Sequence, residues 1–97
     1  MEILNVLYKA KKGKGIQFYN ELREAGIVQA TRAEKGLMAY DFYQSLEDPD
    51  TLLLLEIWED EETRAKHKTT DHFEHLTRLY EIYIASYTVN VYKKENK

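Results

Sequence analysis

The chain has 97 residues with 14 basic and 17 acidic side chains, a formal net charge of -3 and no cysteine. This length predicts one domain over residues 1–97, and the evenly spread charges argue against nucleic acid or a membrane surface as a partner. The lack of cysteine excludes disulfides, thiolate nucleophiles and cysteine-bound metals, and with no leader-like N-terminus or long apolar run it predicts a cytoplasmic protein.

The first sixty residues predict three strands and one amphipathic helix. β-branched, aromatic and leucine side chains mark the strands, and apolar side chains recurring every three residues mark the helix. Gly26 weakens the end of that helix, and Gly36 offers a positive-φ turn before the next strand. The predicted elements are strand 2–10, helix 15–30, strand 37–45 and strand 51–59, the last two joined as a hairpin by the turn LEDPD.

The remainder of the chain predicts two helices and a last strand. Asp60 is the expected cap of a short helix over 61–68. A second helix begins in the segment TTDHFEH, where Asp71 and Glu74 resemble a capping box, and continues to about residue 84. The alternating segment SYTVNVY predicts the final strand, and KKENK predicts a solvated tail.

The order β-α-β-β-α-α-β predicts an α+β fold of the ferredoxin-like βαββαβ type, a four-stranded antiparallel sheet with all helices on one face. Both faces of this sheet are apolar: Ile3 and Leu7 alternate with Leu4, Val6 and Tyr8 along the first strand. Helices cover one face, so the other is an apolar patch larger than a monomer normally exposes. We therefore expect a homodimer whose sheets pack face to face.

Three histidines near Asp71 and Glu74 raise the question of a metal site. Imidazole and carboxylate are the usual ligands in a chain without cysteine. However, His67 and His72 are five residues apart across a helix break, and only His72 and His75 share a helix face, with no second ligand cluster. The spacing therefore predicts no metal site.

Polar groups on apolar strands are the other candidates. Strand alternation places Glu56 and Trp58 on the face of Leu52 and Leu54, where a carboxylate needs a partner. Glu56 either pairs with a base at the sheet edge or lines a cavity with a raised pKa. Trp58 is either core or an indole donor at a pocket. The candidate bases are Arg32, Arg64 and Lys66.

Two further side chains stay open in the same way. Asn5 is an amide in the middle of an apolar strand, so it meets a neighbour across the sheet or dimer, or faces a ligand. Tyr40 and Phe42 share one face of the second strand, and the structural interpretation of the tyrosine is core packing.

The segment from roughly residue 30 to 75 closely resembles the antibiotic biosynthesis monooxygenase superfamily, and the order of elements extends the resemblance over the whole chain. The pattern is an acidic residue and a glycine before a tyrosine-bearing strand, a hairpin, an E-x-W strand end, and then H-x-x-T-x-H-aromatic. The matching residues are Glu34, Gly36, Tyr40, Glu56, Trp58, His67, Thr70, His72 and Phe73.

The resemblance implies a dimeric α+β barrel with a cavity between the helices and the sheet of each subunit. Related members are described as quinol monooxygenases that oxidise polycyclic phenols with dioxygen and without flavin, metal or heme, so the expected substrate is a small aromatic quinol or polyphenol. In that role His67 or His72 is the base or its relay, Trp58 and Tyr40 orient the ring system, and Phe73 walls the cavity. Asn5 and Glu56 complete the expected substrate contacts, and no cofactor is expected.

Other branches of the superfamily supply alternatives. One resembles the isomerase of the autoinducer-2 degradation type, which works by acid/base enolisation. Its phosphate needs a basic anchor, for which the candidates are Lys11, Lys12, Lys14, Arg32 and Lys35. A heme-degrading branch places a histidine near Thr77 and an asparagine near Val6, and the chain departs at both positions. A non-catalytic dimer that binds a small molecule is the last alternative.

Overall fold

The computed structural model describes residues 1–95, which form four strands and four helices. In chain order the elements are β1 (Glu2–Ala10), α1 (Gly15–Glu24), α2 (Ile27–Arg32), β2 (Leu37–Gln44), β3 (Thr51–Trp58), α3 (Glu61–His67), α4 (Asp71–Tyr83) and β4 (Ile84–Lys93). None of the helices in this part of the chain has the length and apolar character that crossing a membrane demands.

The four strands form one antiparallel sheet in the order β2-β3-β1-β4. Leu4 lies between Glu56 and Val91 across the sheet, and Asn5 lies between Leu55 and Asn90. The helices lie on the face that carries Leu4. The ferredoxin-like α+β fold predicted from the sequence is therefore confirmed.

The hydrophobic core lies between this face and the helices. Phe18 and Leu22 of α1 are fully buried, and so are Ile27 and Val28 of α2. They pack with strand residues from β1, β2 and β3 and with Leu76, Leu79 and Ile84. At roughly 1.5–3 kcal/mol for each large side chain removed from water, this cluster is the main stabilising term.

The predicted helix over 15–30 is wrong in one respect, because the chain forms two helices there. Gly26 has a φ of +77°, a left-handed conformation that an uninterrupted helix does not contain. The break lets α2 start on a new axis and extend to Arg32.

The second helical region differs in its cap. Asp60 caps α3 as predicted, since its side chain accepts a hydrogen bond from the Thr63 N–H. The N-cap of α4, however, is Thr70 and not Asp71: the Thr70 hydroxyl accepts from the Phe73 N–H at 3.2 Å. The predicted capping box therefore placed the N-cap of α4 one residue too far along the chain. The strand β4 also takes in Lys93, the first residue of the predicted tail, and Asn96 and Lys97 lie outside the described residues.

The sheet face opposite the helices is apolar and partly open. Ile3, Leu53, Leu55 and Ile57 are half-buried there, and Leu7 is exposed. Asn5 has the same parity as Ile3 and Leu7, so its side chain belongs to this face.

Candidate functional site

A cavity of about 380 Å³ lies between the sheet and the helices α3 and α4. Its wall is mostly apolar and aromatic, with a few polar side chains, which is the usual composition of a small-molecule site. The lining residues are Leu4, Val6, Tyr8, Glu56, Arg64, His67, Lys68, Phe73, Leu76, Thr77, Tyr80, Tyr87, Val89 and Val91. A second hollow of about 330 Å³ on the other side of α3 is lined mainly by charged side chains.

The connection between α4 and β4 creates the main cavity. Strand β4 starts directly after Tyr83, the last residue of α4, without a loop. Ile84 at this junction is 7% exposed, whereas Tyr87, on the strand beyond it, is 49% exposed. Helix and strand therefore diverge like a wedge. The narrow end of the wedge lies near Tyr8 and Tyr80, and the wide end faces α3.

Two histidines meet on one carboxylate at the wide end. His67 Nδ1 lies 2.5 Å from Glu34 Oε2, and His72 Nε2 lies 2.8 Å from the same oxygen. Gly36 makes this turn possible: its φ is +86°, and a Cβ there would lie 2.5 Å from the side chain of Thr63. The turn between α2 and β2 thus places Glu34 against the end of α3.

The segment His67–Phe73 brings the two histidines together. The Thr70 hydroxyl donates to the carbonyl of His67 at 2.7 Å and accepts from the Phe73 N–H. One side chain therefore ends α3 and starts α4. His67 is the last residue of α3, and His72 lies in the first turn of α4. This arrangement explains why two histidines five residues apart reach the same oxygen of Glu34.

His67 is held in one orientation. Its side chain is 5% exposed, and the ring packs against Trp58 and Phe73 with ring centroids 5.1 and 5.0 Å away. Glu34 occupies Nδ1, while Nε2 has no hydrogen-bond partner within residues 1–95. A carboxylate on one ring nitrogen fixes the tautomer that leaves the other nitrogen able to accept a proton. His67 therefore has the arrangement of a general base in the cavity wall.

The same three residues could hold a metal ion, since one ligand atom from each lies within 4.8 Å of the others. Spacing along the chain does not reveal Glu34, which supplies the ligand that the histidines lacked. Even so, ligands at 2.0–2.1 Å from a tetrahedral ion are about 3.3 Å apart. The observed separations of 2.5 and 2.8 Å are those of hydrogen bonds.

Glu56 is the acid of the cavity. Its side chain accepts a hydrogen bond from the Trp58 indole at 3.0 Å, and burial raises its pKa despite the opposing effects of that bond and of nearby His67. The pairing with Arg32, Arg64 or Lys66 is wrong: Arg64 binds Glu2 at 2.7 Å instead. The alternative interpretation, a buried carboxyl group that lines a cavity, is the one the structure contains.

Two tyrosines that the sequence did not single out close the narrow end. The hydroxyl groups of Tyr8 and Tyr80 lie 2.7 Å apart, and Tyr87 packs on Tyr80 at 4.8 Å. Burial raises the pKa of Tyr80 to about 12 and raises that of Tyr8 as well. Both phenols therefore stay protonated near neutrality, and one O–H of the pair remains free to donate. Tyr8 was detectable, because it has the strand parity of Val6.

The predicted site residues fall into three groups. His67, Glu56 and Phe73 line the cavity, whereas His72 lies outside its wall and is connected to His67 through Glu34. Trp58 and Tyr40 are buried behind this wall: Trp58 holds Glu56, and Tyr40 packs on His67 with a hydroxyl that has no partner in the described residues. Asn5 as a substrate contact is wrong, because strand alternation turns it to the opposite face of the sheet.

The heme branch has no support in the cavity wall. Val6 and Thr77, which occupy the positions named for an asparagine and a histidine, do line the cavity. A valine offers no hydrogen bond and a threonine hydroxyl is not the imidazole that heme iron binds, so these side chains do not fit the group.

Comparison with known proteins agrees with this architecture. The family model described as antibiotic biosynthesis monooxygenase matches residues 1–78. "Putative monooxygenase YcnE" of Bacillus subtilis is 34% identical over 74 residues, which is 76% of each chain. A conserved protein of Methanosarcina mazei is 30% identical with a TM-score of 0.85, covering 98% of this chain and 94% of that one. PA3566 of Pseudomonas aeruginosa is 25% identical, with the same TM-score and coverage. The chain belongs to the antibiotic biosynthesis monooxygenase family.

Proposed function

We propose that the protein is a cofactor-independent monooxygenase that oxidises a small aromatic quinol or polyphenol with dioxygen. The observation that carries this proposal is His67, a residue of the aromatic-lined cavity wall that is held by Glu34 at Nδ1 and has no partner at Nε2 within residues 1–95. Family membership supports the reaction class, and the cavity supports the substrate class.

The first step is removal of the phenolic proton. Nε2 of His67 accepts it, and Glu34 stabilises the imidazolium that forms. Glu34 is also bonded to His72, whose side chain is 20% exposed against 5% for His67. His72 therefore offers a route by which the proton leaves the buried base, and its role is that of a relay.

The phenolate then reduces oxygen directly. An electron-rich ring carbon forms a bond to one atom of O₂, giving a peroxide, and the proton held by His67 is available for the outer oxygen. Cleavage of the O–O bond releases that oxygen as water, and the ring carbon loses its hydrogen as a carbonyl or hydroxyl forms. The substrate supplies the electrons, so a quinol and O₂ give a hydroxyquinone and water.

The protein supplies a base, hydrogen-bond donors and a dry cavity. The Tyr8–Tyr80 pair can donate to an oxygen at the far end of the ring system, where negative charge accumulates as the phenol ionises. Phe73, Leu76 and Val6 form the apolar stretch of wall from which a bound ring would displace water. No side chain has to change its oxidation state.

Oxygen uptake with a panel of hydroquinones and anthrones tests the proposal. We expect uptake to fall at least a hundredfold in His67→Ala, because a positioned base contributes about 10²–10⁴-fold. His75→Ala is the matched control, since His75 is a partly buried histidine of α4 outside the cavity wall. A folded His67→Ala variant that keeps full uptake would eliminate His67 as the base.

One observation favours a second function. Glu56, with its raised pKa, and His67 line the same cavity, so an acid and a base are available for enolisation. An acid and a base in one cavity are the groups that the isomerase alternative requires. Proton NMR of a phosphorylated hydroxydiketone decides the matter: exchange or isomerisation that requires both Glu56 and His67 supports the isomerase, and an unchanged spectrum retires it.

We also propose that two copies pair through the open sheet face, in the same cytoplasmic setting that the sequence predicts. Ile3, Leu53, Leu55 and Ile57 form a continuous apolar surface there, with Tyr43 and Tyr92 at 53% exposure beside it. Light scattering after size exclusion is expected to give twice the mass of one chain. The variant Leu55→Glu is expected to reduce it to one, and a wild-type monomer at micromolar concentration contradicts the pairing.

A further inference from the structure

The cavity has a charge that the chain as a whole does not. The net charge of the sequence is -3, yet two of the fourteen lining residues, Arg64 and Lys68, are permanent cations and only Glu56 is an acid. Arg64 and Lys68 are four residues apart at the end of α3, so they lie on one side of the helix. The wall at the wide end therefore carries two cations and one carboxyl group, with a further carboxylate, Glu2, bonded to Arg64 behind it.

Arg64 is fixed in place by its own ion pair. Its Nε donates to Glu2 Oε1 at 2.7 Å, and the side chains are 18% and 3% exposed. Lys93 lies 3.8 Å from the other oxygen of Glu2 and 3.5 Å from Glu61 Oε2, so Glu2 mainly balances Arg64. The terminal nitrogens of Arg64 have no partner within residues 1–95. A guanidinium held through Nε presents its other edge for a bidentate contact with a carboxylate or a phosphate.

Glu56 is poorly placed to pair with these cations. The Trp58 indole already occupies one of its oxygens, and burial raises its pKa. Glu2 already balances Arg64, but Lys68 has no ion-pair partner within residues 1–95, so this end of the cavity can still accept an anionic group from a ligand.

The wide end lies beside the base and far from the tyrosine pair. Arg64 precedes His67 by one turn of α3, and Glu2 binds it at the start of β1. Tyr8 is four residues beyond Leu4 on the same strand, a distance of about 13 Å at roughly 3.3 Å per residue. Between these ends the wall is apolar, formed by Val6, Leu76 and Val89.

We propose that the cavity selects an elongated aromatic ligand with an anionic group, a carboxylate or a phosphate, seated on Arg64 and Lys68. The ring system lies along Val6, Leu76 and Val89, and the ionising hydroxyl stands next to the anion at His67. The proposal rests on the proposed function for the hydroxyl at His67, and it narrows the substrate class from phenols in general to anionic phenols and their phosphorylated relatives.

Equilibrium binding of three naphthalene probes tests this proposal. The probes are neutral 1-naphthol, 1-hydroxy-2-naphthoate and 1-naphthyl phosphate. Binding is measured from the fluorescence of each probe, under conditions in which no probe is converted. We expect at least one anionic probe to bind tenfold or more tightly than 1-naphthol. Tighter binding of the carboxylate alone, or of the phosphate alone, identifies the source of the anion. Equal binding of all three probes, or binding of none, overturns the proposal.

Charge variants locate the contact. Arg64→Gln and Lys68→Gln are each expected to weaken the preferred anion about tenfold and to change 1-naphthol less than twofold. Arg78→Gln, which removes an exposed cation of α4 outside the cavity wall, is the matched control and should leave all three affinities unchanged. Arg64→Lys keeps the charge without the fork, so it should recover part of the affinity in a folded protein. Loss of 1-naphthol and anion binding to the same extent contradicts an anion contact.

The two proposals fail separately. Selective anion binding without oxygen uptake from any phenol removes the monooxygenase reaction and leaves the anion site. Oxygen uptake that is equal for neutral and anionic quinols, and insensitive to Arg64→Gln, removes the anion site and leaves the reaction.

Discussion

The helix-facing surface of the sheet is solid at one edge and hollow at the other. At the closed edge, Tyr40, Leu52 and Leu54 of β2 and β3 are 1–2% exposed beneath α1 and α2. At the open edge, Val89 and Val91 of β4 face the same side and are 48% and 43% exposed. Alternation is equally regular in these strands. An apolar sheet face becomes core or cavity wall according to whether a helix happens to lie across it.

The largest expected effect separates the two edges by stability. Leu54→Ala should lower the free energy of unfolding by about 2–5 kcal/mol, because it leaves a void in a filled core. Val89→Ala should cost less than about 1 kcal/mol, since its side chain already contacts solvent in the cavity. Urea denaturation of both variants at one protein concentration measures the difference, and equal losses would mean that the open edge is as well packed as the closed one.

The tyrosine pair at the boundary gives the next prediction. Tyr80→Phe leaves the hydroxyl of Tyr8, which is 1% exposed, without its partner, and should cost about 1–3 kcal/mol. Tyr8→Phe leaves the Tyr80 hydroxyl beside the cavity, where water can bind it, and should cost about 0.5–1.5 kcal/mol. The double variant should cost less than the sum of the two. A double-mutant cycle by denaturation measures this coupling, and strict additivity contradicts the hydrogen bond.

Strand parity explains how far the sequence predicts this molecule. Parity places Glu56 and Trp58 on the helix-facing side of β3, and helical spacing places Phe73 on the inner side of α4; the fold confirms both positions. Parity also puts Asn5 opposite Leu4, and the expectation of a ligand contact there overlooked this.

Strand alternation and helical spacing do not predict contacts between segments that are distant in sequence. Glu34 and His67 are 33 residues apart and meet only because Gly36 turns the chain beneath α3. Likewise, the cavity depends on the direct junction of α4 with β4, and no local pattern states that a sheet face stays uncovered. The periodicity of apolar residues is therefore enough to predict the fold. The site depends in addition on where α3 and α4 end, which local patterns do not give.

The pH dependence of stability tests Glu56, which lies where the two edges meet. Its pKa is raised in the folded protein by burial, so the folded state holds the proton more tightly than the unfolded chain. Stability should therefore fall as pH rises from the ordinary carboxyl range through the raised pKa, and then level off, by about 1.4 kcal/mol for each unit of difference.

Glu56→Gln removes this loss and still accepts from Trp58. Unfolding free energies of the wild type and the variant, measured from pH 4 to pH 8, should diverge with rising pH in favour of the variant. Parallel curves would show that the carboxyl group ionises as readily as it does in the unfolded chain.

The smallest effect concerns the helix that roofs the cavity. Thr70→Ala removes the cap of α4 and should cost about 1 kcal/mol, because the Phe73 N–H loses its acceptor. Asp71→Ala should change stability far less, since Asp71 is exposed in the first turn and acts only through the helix dipole. Thermal unfolding of both variants ranks them, and a larger loss for Asp71→Ala would restore the capping box predicted from the sequence.

Since Thr70 also binds the carbonyl of His67, its loss should loosen the wide end of the cavity more than the narrow end. In Thr70→Ala, amide hydrogen exchange should become faster at residues 67–73 and stay unchanged at Tyr80. Equal acceleration at both places would contradict this local effect.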